Sequence, residues 1–190
     1  MTHSTEYPMS EYLAWVQWWA FPWRYADEEW KDGLHGAINA LSRSRGSVPG
    51  VFMGVNPCLP PALPPTVLRL ALASNEQLDL ALTLAHDTLN PQVASLLSES
   101  HHQWCSRLSK TLPPAMLSLD ADPLQLLHNW LEPAIWQRLR LRFPRQRVDA
   151  VEKSHACLES ASSRLSTLWQ AVIWRVNASP SHSLAPDSYG

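Results

Sequence analysis

The sequence predicts an all-α protein, and three observations carry that expectation. Apolar residues recur at intervals of three and four along most of the chain, no segment alternates convincingly with period two, and prolines fall where the helical pattern breaks. The segment from Glu11 to Ala20 is helix-compatible and is stopped by Pro22. Asp27 then has the character of an N-cap, with Glu28 and Glu29 in the first turn, and the next helix extends to about Ser44 with Trp30, Leu34, Ile38 and Leu41 on one face. Gly33 and Gly36 weaken that helix.

Residues 46–65 differ in kind. They hold Gly46, Gly50 and Gly54 and six prolines, Pro49, Pro57, Pro60, Pro61, Pro64 and Pro65, which predicts a long extended connection. The helical pattern resumes with TVLRLALA. Ser74, with Gln77 three residues on, forms a capping-box pattern for a helix that lines up Leu78, Leu82, Ala85 and Leu89 and breaks at Pro91. One or two helices follow between Gln92 and Leu112, with Ser100 as an internal cap, and Pro113 and Pro114 close that unit.

Asp122-Pro123 is a strong helix start, a cap followed by proline at the first helical position, with Leu124, Leu127 and Leu131 behind it. Glu132-Pro133 restarts the pattern, placing Trp136, Leu139 and Phe143 inward until Pro144. The alternating RLRLRF of residues 138–143 could be a short strand, but its proline-bounded context favours helix. A last helix is expected from about Arg147 to Asn177, with Leu158, Ala161, Leu165, Leu168 and Val172 at helical spacing. The organisation predicted is a small Trp-rich N-terminal lobe (1–45), a Pro/Gly-rich connection (46–65), a helical body (66–178) and a disordered polar tail (179–190).

Composition narrows the function. Charged residues make up only 17% of the chain and the formal net charge is −2, which argues against a general nucleic-acid coat. Three separated cysteines, Cys58, Cys105 and Cys157, fit reduced thiols in a cytoplasm rather than a disulfide scaffold. The acidic N-terminus carries no basic run of a secretory signal, and no stretch of about 18 apolar residues predicts a membrane span.

Ten tryptophans in 190 residues are the most distinctive feature, and five lie between Trp15 and Trp30. Tryptophan suits both a core edge and a protein-facing surface, so Trp15, Trp18, Trp19 and Trp23 are either core anchors or docking residues. A membrane-interface helix would need basic flanks, whereas Glu6, Glu11, Asp27, Glu28 and Glu29 surround this segment. The run Arg138, Arg140, Arg142, Arg145 and Arg147 is the second feature. On a continuous helix Arg138, Arg142 and Arg145 share one face, which is either an ordinary solvated face or a docking patch for an acidic partner.

Chemistry-bearing patterns are weak. His101 and Cys105 are one helical turn apart beside His102, yet two ligands make no metal site, and His86-Asp87 is no signature. The chain has no phosphate-binding loop, no dinucleotide fingerprint and no nucleophile elbow. No enzyme activity, metal or cofactor is expected.

WCSRLSKTLPP (Trp104–Pro114) and DPLQLLHNWLEPAIWQRLRLRFPRQRV (Asp122–Val148), with the Leu-rich stretch Leu68–Leu89 before them, resemble the HrpD/YscK-type (SctK) accessory subunit of bacterial type III secretion systems. The resemblance covers roughly the C-terminal two-thirds of the chain. It implies a helical, non-enzymatic cytoplasmic adaptor, peripheral to the inner membrane and not inserted in it. Such an adaptor joins the cytoplasmic domain of the inner-membrane ring protein to the pod protein of the sorting platform. The alternative is an all-α regulatory or nucleic-acid-associated protein using the Arg138–Arg147 run. If the arginine run is a docking patch, charge reversal at Arg138 and Arg142 is expected to disrupt one partner and spare the fold.

Overall fold

Proline and short polar side chains set the helix boundaries. In the computed structural model, which describes residues 9–32, 53–62, 64–91, 97–112, 122–154 and 162–178, helix α1 spans Met9–Ala20 and passes into a 3₁₀ turn at Pro22–Tyr25. Asp27 caps a helical turn over residues 28–32, its Oδ1 accepting from the Glu29 N–H at 3.0 Å. The chain then provides α2 (Pro65–Leu72), α3 (Asn75–Leu89), α4 (Glu99–Ser109), α5 (Pro123–Trp130), α6 (Pro133–Leu139), a 3₁₀ turn at Arg140–Arg142, α7 (Arg145–Lys153) and α8 (Ser162–Ala178). No strand occurs among the described residues, as an all-α fold requires.

Helix starts follow the sequence closely. Ser74 and Gln77 form a reciprocal capping box at α3, and Asp122 accepts from the Leu124 N–H at 2.8 Å with Pro123 in the first turn of α5. Three expectations change. The alternating 138–143 segment is neither strand nor continuous helix: α6 ends at Leu139, a 3₁₀ turn follows, and Pro144 precedes a fresh helix. The expected helix from Arg147 to Asn177 is interrupted, because Ser154 ends α7 in an extended conformation. The cap of α4 is also displaced, since the helix starts after Ser98 and Ser100 lies inside its first turn. The helix expected beyond residue 32, the glycines at 46 and 50, and the tail 179–190 lie outside the described residues.

α8 is the central support. It packs on α2, α3 and α5, while α3 also meets α4 and α5, and α5 meets α7. Leu165, Leu168, Trp169 and Val172 of α8 are buried among Leu78, Leu82 and Ala85 of α3 and Leu124 and Leu127 of α5 within one core. The N-terminal segment does not stand apart from it. Trp15, Trp18, Trp19 and Trp30 belong to the same buried cluster, and α1 packs on α2. Backbone pairing adds to this: the Asp27 N–H donates to Leu141 O at 2.7 Å, and the Glu29 carboxylate accepts from the Gln146 N–H at the start of α7. No helix among the described residues is long and apolar enough to cross a membrane.

Candidate functional site

α1 is apolar on both sides. Its inner face buries Trp15, Trp18 and Trp19, with Trp15 and Trp18 stacked at 5.2 Å between ring centroids. Its outer face presents Met9, Tyr12 and Leu13, which are 72%, 51% and 53% exposed. Positions 9, 12, 13, 16 and 20 form one helical stripe, and its lower end runs into a cleft of about 340 Å³. Val16, Trp19, Ala20, Pro22 and Trp23 wall one side of that cleft, and the segment from Val55 to Pro60 walls the other, with Arg138 between. Leu59, 89% exposed, stands on the rim segment.

The second wall holds its place through side chains reaching its backbone. The Trp19 indole N–H donates to Cys58 O at 2.9 Å, the Asn56 N–H donates to Gln137 Oε1 at 3.0 Å, and Arg138 donates to Asn56 O at 3.1 Å. Pro57, Pro60 and Pro61 carry no N–H, so an extended strap here leaves few donors in need of partners.

Arg138 is the group of greatest chemical interest. It is only 3% exposed, and its guanidinium carbon lies over the Trp19 ring at 3.8 Å from the centroid. Nε donates to Trp19 O, Nη1 to Ala134 O and Nη2 to Asn56 O. All three acceptors are neutral carbonyls, and no carboxylate of the described residues pairs with it. Burial holds its pKa below the ordinary guanidinium value, opposed by the neighbouring Cys58 thiol.

The predicted docking residues therefore fall into different places. Trp15 and Trp18 are sealed in the core, and Trp19 is buried with one edge on the cleft, so the first two offer nothing to a partner. Trp23 is partly buried and lines the cleft, with Phe21 edge-on at 5.6 Å. The arginines do not form one face, because the segment breaks into α6, a 3₁₀ turn and α7. Arg142 donates to Ala73 O and Asn75 Oδ1, closing the turn between α2 and α3, and Arg140 reaches Met53 O, Gly54 O and the Glu152 carboxylate. Arg147 pairs with Asp122 at 2.7 Å. Arg145 is exposed, with its guanidinium 5.3 Å from the Trp30 ring centroid. These guanidiniums serve helix ends and loop carbonyls, which lack intrahelical partners.

Of the His101–Cys105 pair, Cys105 is structural. Cys105 is buried, its thiol donates to Leu84 O at 3.5 Å, and burial pushes its pKa up, away from the reactive thiolate. Asp87, set aside in the sequence because His86-Asp87 is no signature, is buried between His86 at 3.3 Å and His102 at 3.5 Å. No spacing rule marks it, because its partners come from two helices. No set of three His, Cys, Asp or Glu residues in metal-binding proximity occurs among the described residues. Outside the chain itself, no family model, curated protein or solved structure matches it.

Proposed function

We propose that this chain is a non-enzymatic adaptor of a bacterial type III secretion apparatus, cytoplasmic and peripheral to the inner membrane. It links the cytoplasmic domain of the inner-membrane ring protein to the pod protein of the sorting platform. The resemblance over Trp104–Pro114 and Asp122–Val148 suggests the assembly. The observation that carries a docking role is the outward apolar stripe of Met9, Tyr12 and Leu13 leading into the Val16–Trp23–Arg138 cleft. Exposed contiguous apolar surface of this kind favours association with a protein. The nucleic-acid alternative loses support, since Arg138, Arg140, Arg142 and Arg147 are occupied by internal acceptors.

The test is reconstitution. The ring protein's cytoplasmic domain and the pod protein, taken from the same genome, are mixed with the purified chain and followed by size-exclusion chromatography with light scattering. A ternary complex is expected, and Leu13→Asp is expected to remove one partner while the melting curve stays that of the wild type. A wild-type chain that binds neither protein, or that instead binds duplex DNA with steep salt dependence, overturns the assignment.

A further inference from the structure

The cleft beside α1 holds a contradiction that an incoming ligand would resolve. Its walls are almost wholly apolar, yet its floor carries a buried cation with no carboxylate partner among the described residues. A charge taken from water is costly unless it is paired, and neutral carbonyls offset that cost only in part. Guanidinium has five N–H groups, and three of those of Arg138 go to Trp19, Ala134 and Asn56 carbonyls. The Cys58 thiol is a further hydrogen-bonding neighbour of the guanidinium, and the remaining N–H is suited to a carboxylate oxygen.

We propose that this cleft receives an acidic-apolar peptide segment of a partner protein, whose carboxylate pairs with Arg138 while the neighbouring apolar side chain packs between Val16, Trp23 and Pro60. Several observations select this occupant. A volume of about 340 Å³ lies at the small end of ligand cavities and suits one or two side chains. A single guanidinium matches a monoanion, whereas a phosphate dianion would bring a second charge into apolar walls with no second cation among the lining residues. Leu13 and Leu59 extend the apolar surface beyond the cleft, giving the rest of a peptide somewhere to lie and a small free acid nothing to use. The inference rests on the adaptor reading only for which protein supplies the segment.

A random dodecapeptide library displayed on phage is selected on the full chain, and recovered peptides are synthesised both intact and with each Asp or Glu changed to its amide. The expected peptides carry an Asp or Glu next to Leu, Phe or Trp, and lose about tenfold in affinity on the amide change, which leaves the protein untouched. Cys58, exposed on the cleft wall, supplies a local readout: bound peptide is expected to slow its alkylation, followed by mass spectrometry. Ala20→Asp, which adds a carboxylate to the cleft wall at an exposed position, is expected to abolish binding with an unchanged melting curve. Recovery of no peptide, of peptides without acidic preference, or of peptides that leave Cys58 alkylation unchanged overturns the proposal. If selected peptides behave as expected but fail to displace the ring or pod protein, the cleft chemistry stands and the adaptor assignment of this surface falls.

Discussion

Trp18 shows how a residue chosen for its binding chemistry can be structural. It is fully buried, stacked on Trp15 and tilted against Trp19 at 6.3 Å. The indole N–H groups of Trp15 and Trp18 meet no hydrogen-bond acceptor among the described residues, and these rings contribute through area and packing. Trp18→Ala is expected to destabilise the fold by about 3–5 kcal/mol, as cavity-forming Trp truncations do, with denaturant melts as the measurement. A variant that melts like the wild type but loses a partner would return Trp18 to the surface. Trp19 and Trp30 differ in kind: their N–H groups meet Cys58 O and Phe143 O, tying α1 and the following turn to distant segments.

At the scale of the element, α5 joins local and distant determinants at one residue. Asp122 caps the helix through the Leu124 N–H and also receives Arg147 of α7 through both carboxylate oxygens. Burial by itself would raise the Asp122 pKa, but the Arg147 hydrogen bond, the Leu124 N–H and the Arg147 charge together hold it below the usual carboxylate range. A depressed carboxyl contributes stability that is complete above its unfolded pKa, about 3.9, and is lost as pH falls through the lower folded value. Asp122→Ala is expected to cost about 1 kcal/mol at neutral pH through the cap alone. The gap between variant and wild-type melting temperatures should close as the buffer is taken into acid. A gap independent of pH would mean that the ionised carboxylate is not what stabilises α5.

The segment from Arg138 to Arg147 works at the scale of the whole molecule. Four arginines leave it for four different places: the end of α1 with the Asn56 strap, the turn at Met53–Gly54, the turn between α2 and α3, and the cap of α5. Gly54 fits this arrangement twice over. Its φ is +68°, and a Cβ there would stand 2.5 Å from Arg140 Nη2. Charge reversal is therefore expected to act on folding as well as on binding, contrary to what a solvated basic face implies. Arg142→Glu leaves Ala73 O and Asn75 without their donor, and a loss of about 1.5–3 kcal/mol is expected, as for hydrogen bonds to charged groups. Calorimetric unfolding of the full chain checks this, and wild-type stability would show that the arginine clip is dispensable.

Sequence by itself determined the fold class and the helix starts at Ser74, Asp122 and Pro133, because caps, proline and apolar spacing act within a few residues of one another. It also named the aromatic and arginine-rich segments that surround the cleft. Tertiary structure alone decided which of their members face outward. Apart from Ala134 O one turn back and the Asn75 side chain, the acceptors that claim Arg138 and Arg142 are backbone carbonyls 69 to 119 residues away, and every residue type carries a carbonyl, so no pattern of side chains announces them. The same holds for α1, whose two faces are both apolar: burial of Trp15 and Trp18 and exposure of Met9 and Leu13 follow from where α2 and the Asn56 strap lie, which local periodicity does not encode.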